Sequence, residues 1–450
     1  MTSLSRQGYS VKKACFDEKD IESVKRELTV EVKNGMFDNI APKRYILYQE
    51  NDTKLYIPKY YGLQRFGVPD RNVISDGEHR PNMNFIGTLR ENQVLQVNAF
   101  LDACKDPNKM GAIVNVPCGF GKTILSLKIS TELKLKTLFM SHKDFLNVQF
   151  VESAKIFCPE AKIGVIKQNK IDIEDKDFVV GSLQSIAMRD YDPAIFKDFG
   201  LVIIDEVHHC AAEVFSKALV KTCSKYTLGL SATLNRKDGL QRVFKWYIGV
   251  PAIKLVHNKN ADSDVDVKLY YFNDNNPKYC KIETVYNKIS PVKMLGNVVS
   301  YKPRVLFCCK AIIENMSDDK KMLVLSERKS LLTDIHNVLS ETPDFKYTMG
   351  FYVGGMSAKN LAESSSKKIL MGSSSMVKEG YNDPELNSII LVSPMGDIEQ
   401  AVGRILRIKK EDRTVKPLII DIVDNFSIFI NRFNKRKAFY NKNQYNIIIP

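Results

Sequence analysis

The sequence predicts an α/β protein: two tandem domains, each a parallel sheet with helices on both faces, behind a small N-terminal α+β domain. Three observations predict it. Short apolar runs alternate with helical segments over residues 85–250, and the alternation returns over 301–450. In the first of these regions one run leads into a glycine-containing turn and the other four are followed at once by an acidic or hydroxyl residue, the place where open parallel sheets bind ligands. A chain of 450 residues also has room for roughly two to three domains of about 150 residues.

Residues 1–84 have their own character and are expected to form an accessory domain. Glu18–Leu28 reads as a short charged surface helix, followed by β-like runs at Leu28–Val32 and Arg44–Ile57 with a turn at Asn51-Asp52. Tyr45, Tyr48, Tyr56, Tyr60 and Tyr61 are interleaved with Lys43, Arg44, Lys54, Lys59 and Arg65. Such a mixture suits either half-buried packing at strand spacing or stacking on nucleic-acid bases.

In the next region the predicted strands are Ala112–Val116, Thr137–Met140, Asp177–Gly181, Leu201–Ile204 and Tyr226–Leu230. The first leads into Val116-Pro117-Cys118-Gly119-Phe120-Gly121-Lys122-Thr123, and a helical pattern follows. A Gly-Lys-Thr opening a helix after a strand suits nucleotide phosphates. Backbone N–H groups of Cys118–Gly121, after Pro117, and the helix start would face the anion, Lys122 would reach the β- and γ-phosphates, and Thr123 would reach Mg²⁺. Val116 stands where the first glycine of G-x-x-x-x-G-K-[ST] belongs, so the stretch alone leaves an ordinary helix start open. The fourth run ends in Asp205-Glu206-Val207-His208-His209. Beside a phosphate loop the first carboxylate would complete the Mg²⁺ shell and the second would act as general base on the attacking water. His208 is placed to relay between nucleotide and neighbouring elements. The fifth run ends in Ser231-Ala232-Thr233, whose hydroxyls could bond the acids and sense the γ-phosphate.

Residues 251–300 are polar and irregular and read as a linker. Beyond it the runs Met322–Leu325, Tyr347–Val353, Lys368–Met371, Ser388–Val392 and Pro417–Ile422 predict a second sheet over 301–450, without a phosphate loop. The basic, aromatic stretch Asn431–Tyr440 suits a solvated terminal helix or a nucleic-acid contact equally.

A formal charge of +14 and a pI near 9.1 favour an anionic partner, nucleic acid being the commonest, although a merely basic surface would give the same totals. No apolar run approaches the roughly 20 residues that span a bilayer, and the N-terminus has no apolar signal core. Nine scattered cysteines without a C-x-x-C pair suggest free thiols rather than a metal site. A reducing, cytoplasmic location without membrane partners is therefore expected.

The order phosphate loop, Asp205-Glu206-Val207-His208, Ser231-Ala232-Thr233 resembles the first RecA-like domain of the superfamily two (DEAD/DEAH-like) helicases and translocases. Leu89-Arg90-Glu91-Asn92-Gln93 and Leu228–Leu240 resemble segments of the branch around XPB and UvsW, in which the glutamine, here Gln93, reads adenine. Leu55–Gln64 is similar to the poxvirus-type transcript-release helicases of large cytoplasmic DNA viruses. Gln400-Ala401-Val402-Gly403-Arg404-Ile405-Leu406-Arg407 resembles the last helicase motif, Q-x-x-G-R-x-x-R. Spacing by three would put Arg404 and Arg407 on one face of a helix, aimed with Gln400 at the phosphates. Glu379-Gly380-Tyr381-Asn382-Asp383-Pro384 resembles E-G-x-D-x-P, with Asn382 at the acidic position and Gly380 expected at the nucleotide. Ser141, Lys143, Gln184, Arg328 and Ser373 lie at strand ends resembling backbone-contacting motifs, one track for a phosphate backbone.

The resemblance thus implies a monomeric enzyme of two RecA-like domains that uses ATP and Mg²⁺ to move along nucleic acid. DNA is favoured over RNA, transcription machinery is a candidate partner, and a viral protein would work in host cytoplasm or virion. Translocation on duplex DNA without strand separation, action on RNA, and a nucleic-acid-binding scaffold with an inactive ATP site are the other readings.

Overall fold

The computed structural model describes residues 1–32, 43–117, 119–208, 213–232, 234, 240–253, 263–380, 383–408 and 410–450. The chain divides into two units, Met1–Val256 and His257–Pro450.

The first unit is built on a seven-stranded sheet ordered Lys170–Asp172, Ile163–Lys167, Phe178–Ser182, Thr137–Ser141, Leu201–Asp205, Tyr226–Ser231, Gly111–Asn115. All neighbours are parallel except the outermost hairpin, Ile163–Lys167 with Lys170–Asp172. The five runs predicted from sequence are the five central and nucleotide-side strands; the hairpin was not predicted. The phosphate-loop strand is at the sheet edge, separated from the acid-bearing strand by the strand that ends in Ser231. The carboxyl ends of these three strands therefore open side by side.

The N-terminal residues form a five-stranded sheet of their own, ordered Gln49–Glu50, Lys54–Ile57, Gly8–Lys12, Thr2–Ser5, Arg71–Asn72. A helix, Glu18–Glu27, turns Ile21 and Val24 inward, as its pattern predicts. Their core is shared, however. Tyr9, Leu55 and Tyr60 belong to one apolar cluster with Ile113, Leu138 and Ile204 of the large sheet. Tyr45, Tyr60 and Tyr61 are buried, which selects packing over base stacking for these three.

The helix Lys59–Phe66 makes the junction polar as well as apolar. Buried Lys59 donates from Nζ to the carbonyls of Ser224 (3.0 Å) and Lys225 (2.6 Å), and the Tyr60 hydroxyl donates to Met110 O (2.9 Å). Burial pushes the Lys59 ammonium down to about 8. Between there and its unfolded value of 10.5, the unfolded chain holds a proton that the native state has released. Stability therefore rises with pH across this window, by up to about 3 kcal/mol. Thermal unfolding followed by Trp246, whose ring meets Tyr61 edge-on at 5.4 Å, checks this. From pH 8 to 10 the wild type should gain relative to Lys59→Met, and parallel curves would remove the assignment.

The second unit holds a seven-stranded, wholly parallel sheet ordered Met349–Tyr352, Ile369–Ser373, Met322–Ser326, Ser388–Leu391, Leu418–Asp424, Asp266–Phe272, Asn446–Ile448. The five predicted runs are all strands. The expected linker over 251–300 is corrected here. Asp266–Phe272 is a strand inside this sheet, and Pro291–Ser300 is a helix packed with Met294, Leu295, Val298 and Val299 inward. The alternating pattern of the strand, with Val267 and Leu269 buried between more exposed neighbours, had hidden it in a polar stretch.

Two acids of the strand Leu418–Asp424 lie in the interior, each neutralised by a buried arginine. Asp424 takes Arg304 bidentately (Nε–Oδ1 2.6 Å, Nη2–Oδ2 2.7 Å) and also the Tyr279 hydroxyl (2.7 Å). Asp421 takes Arg436 Nε (2.9 Å) and the Tyr440 hydroxyl (2.8 Å). The terminal helix Ser427–Lys442 is thus a core element on one side, anchored by Phe429, Phe433, Arg436 and Tyr440.

Candidate functional site

In the first unit the strand Gly111–Asn115 runs into Val116, which is 1% exposed and gives its N–H to Ser231 O (3.0 Å). Val116 stands at the first-glycine position because that position faces the apolar core, where Val116 packs with Val114, Leu125 and Leu230. Glycine is required later. Gly119 and Gly121 have φ of 78° and 96°, in the left-handed region that favours glycine, and Gly121 caps the helix Lys122–Leu133. Cys118 and Thr233, both expected at the site, lie outside the described residues, and Pro117 precedes the turn.

Gln93 and Arg90 brace the loop. Gln93 is buried, its Nε2 donates to Phe120 O (2.7 Å), and its Oε1 accepts the Arg90 N–H (2.9 Å). Arg90 Nη2 donates to the same carbonyl (2.5 Å) while its guanidinium lies 5.6 Å over the Phe120 ring. A Cβ on Gly121 would meet Gln93 Nε2 at 2.7 Å, so the glycine also makes room for this brace. Gln93, expected to face adenine, is thus engaged with the loop itself. Arg90 was missed as a functional residue, although it stands three residues before Gln93, the spacing of a helix cap.

Lys122 and Glu206 come together across 84 residues of sequence, Nζ to Oε1 at 2.5 Å. Asp205 ends its strand buried, and its Oδ1 accepts the Glu206 N–H (2.9 Å). Burial first, then the neighbouring Glu206, push the Asp205 carboxyl well above the usual range, and Lys122 opposes them. Glu206 has φ of 51°, which turns the chain sharply at the strand end and sets its carboxylate beside the lysine. His208 Nδ1 lies 3.4 Å from Glu206 Oε2 and 3.2 Å from Ser231 Oγ. The hydroxyl predicted to bond the acids therefore reaches Glu206 through this imidazole. His142, also unassigned from sequence, is pushed down to about 4 by burial and by Lys143, and feels both Glu206 and His208. It is a neutral imidazole beside the acid.

The predicted nucleic-acid contacts divide. Lys143 caps the helix Asp144–Phe157 half-exposed, and Gln184 is exposed on the helix Leu183–Met188. Ser141 is corrected. It is fully buried, with its hydroxyl bonded to Lys143 O (2.8 Å) and the Asn147 side chain (2.9 Å), so it shapes the turn and presents nothing to a phosphate.

In the second unit Arg328 precedes the helix Lys329–Ser340, half-exposed. Ser373 ends its strand 7% exposed, with an Oγ that has no hydrogen-bond partner among the described residues. Gly380 closes the helix Ser374–Gly380; Tyr381 and Asn382 lie outside the described residues. Asp383 is buried and paired with Lys321 Nζ (2.7 Å). The helical placement of the arginines is corrected. The helix spans only Glu399–Val402, and beyond it Arg404 N–H reaches Ala401 O (3.1 Å) and Ile405 N–H reaches Val402 O (3.1 Å). Arg404 thus sits on a tight turn after the helix and Arg407 just beyond that turn, with Gln400 inside the helix. Gly403, which has the lowest helix propensity short of proline, follows the last helical residue.

The family model described as "Type III restriction enzyme, res subunit" matches residues 86–236. A protein of Acanthamoeba polyphaga mimivirus, L396, named as a candidate ATP-dependent RNA helicase, is 36% identical over 99% of this chain and 86% of its own length. Protein D10 of Escherichia phage T5, named as a candidate helicase, is 29% identical over 80% of this chain and 76% of its own. Among solved structures, T4 UvsW aligns over 96% of this chain and 95% of its own, with 16% identity and a TM-score of 0.37. The assignment of fold rests on the two parallel sheets described above.

Proposed function

We propose, from the premise that this chain belongs to the superfamily two helicases, that its ATP hydrolysis drives movement along DNA. It is an ATP-hydrolysing helicase, so ATP and nucleic acid are its substrates; the choice of DNA is the proposal. The observation that carries the chemistry is the 2.5 Å pair of Lys122 and Glu206, which joins a phosphate loop to an acid pair.

Lys122 exchanges the Glu206 carboxylate for triphosphate oxygens when ATP binds. Glu206 is thereby released to take the proton of the water that attacks the γ-phosphorus, as ADP departs. Two oxygen donors, the buried carboxylate of Asp205 and the hydroxyl of half-exposed Thr123, fit a hard divalent cation. These two residues would hold Mg²⁺, which when bound would neutralise phosphate charge. Gln400, Arg404 and Arg407 of the second unit serve the γ-phosphate in this proposal. The link from Glu206 through His208 to Ser231 passes the change at the acid to the neighbouring strand. Lys143, Gln184, Arg328 and the orphan hydroxyl of Ser373 are the proposed backbone contacts. The likeness of Leu228–Leu240 to the XPB and UvsW branch supports DNA. That of Leu55–Gln64 to viral transcript-release helicases supports work beside a transcribing polymerase in the cytoplasm.

ATP turnover with single-stranded DNA, duplex DNA and RNA at equal nucleotide concentration tests the proposal. DNA should stimulate more than RNA, and equal or greater stimulation by RNA would replace it. Strand displacement beside triplex displacement then separates unwinding from translocation on duplex.

A further inference from the structure

Four exposed large apolar side chains, Ile282, Tyr286, Ile289 and Val292, crowd into a short stretch of the second unit. They surround a hairpin in which Thr284–Val285 pairs antiparallel with Lys288–Ile289. Its two-residue turn is Tyr286-Asn287, with φ of 48° and 58°. Two positive φ values give the turn whose twist matches paired strands. Asparagine adopts that conformation readily, whereas a bulky aromatic residue there carries a backbone cost. Tyr286 is also 94% exposed, so packing returns nothing for that cost.

The hairpin stands on a firm base. Ser290 N–H donates to Glu283 O (2.7 Å), and the Glu283 carboxylate accepts from Asn297 (3.3 Å) and pairs with Lys281 (3.3 Å). Just before it, buried Tyr279 bonds Asp424 in the core. Its surroundings are cationic: Lys278, Lys281, Lys288 and Lys293 are exposed, and Glu283 is the one carboxylate among residues 278–293. Exposed apolar side chains flanked along the chain by lysines argue against a protein partner, since lysine is depleted in protein interfaces. Aromatic rings among cations are what nucleic acid uses, the ring stacking on a base and the ammonium groups neutralising phosphates.

We propose that the hairpin Thr284–Ile289 is a nucleic-acid contact in which Tyr286 stacks on a base, resting on the nucleic-acid reading above. The test uses the full chain as wild type, Tyr286→Ala and Tyr286→Phe. Two quantities are read: the polymer concentration that half-stimulates ATP turnover, and quenching of a fluorescent base analogue in a single-stranded oligonucleotide. Tyr286→Ala should raise the half-stimulating concentration about tenfold and lose the quenching. Tyr286→Phe should keep both, and turnover without polymer should be unchanged in all three. Wild-type behaviour of Tyr286→Ala in both readouts overturns the proposal and leaves the hairpin to a protein partner. A wild type that no polymer stimulates overturns the nucleic-acid reading itself, and this contact with it.

Discussion

Glu206→Gln is expected to lower the ATP turnover number by about 10²–10⁴-fold while leaving ATP bound at least as tightly. Glutamine fills the same volume at the same left-handed backbone position, so the strand end keeps its shape. It cannot take a proton from water, and it no longer holds Lys122 through a charge. The two effects point in opposite directions. Chemistry loses its base, whereas binding gains a lysine that needs no release from a carboxylate. Single-turnover hydrolysis and nucleotide affinity, measured on the same preparation, separate them. Turnover within tenfold of wild type would remove Glu206 from the role of base. A fall in affinity matching the fall in rate would instead mean that the acid only shapes the site.

Asp424→Ala should cost the second unit about 3–5 kcal/mol. The Arg304 guanidinium would remain buried with only the Val392 carbonyl (2.8 Å) and the Cys308 sulfur (3.8 Å) as partners, and the Tyr279 hydroxyl would keep only the longer bond to the Phe272 carbonyl (3.3 Å). For a unit of this size that corresponds to a fall in melting temperature of roughly 6–20 °C. Because Trp246, the chain's single tryptophan, belongs to the first unit, its fluorescence should report an unmoved transition while calorimetry shows the other shifting. Arg304→Met combined with Asp424→Leu should recover much of the loss, since an apolar pair leaves no charge uncompensated. A cost below about 1 kcal/mol for Asp424→Ala alone would mean that water reaches the arginine.

The strands carrying the chemistry were legible because central parallel strands are covered on both faces and read as unbroken apolar runs. Leu201–Ile204 and Met322–Leu325 are of this kind. Ile163–Lys167 and Asp266–Phe272 lie towards sheet edges, alternate in exposure, and blend into polar surroundings. The local chemistry of the phosphate loop was readable, but not its closure by Glu206, since pairing across 84 residues is a property of the fold. For Arg404 and Arg407 a spacing of three suggested a helix that Gly403 does not continue. Arg304 and Arg436 looked like two more cations of a basic chain. The signal for them lay in their partners: two acids inside the apolar run Leu418–Asp424 require buried counter-charges.

The contacts of Lys59 and Tyr60 bear on how the protein is made and inherited. Met110 is 50 residues downstream of Tyr60, and Ser224 is 165 downstream of Lys59. On the ribosome the N-terminal sheet emerges first and must wait for most of the ATP-binding lobe before its last polar groups find partners. A fragment beginning near residue 85 would lack the lysine that satisfies Ser224 and Lys225 and the side chains that complete the common core. The region before the motor is therefore no detachable cassette. Recombination that exchanged it for another would have to carry the first lobe along.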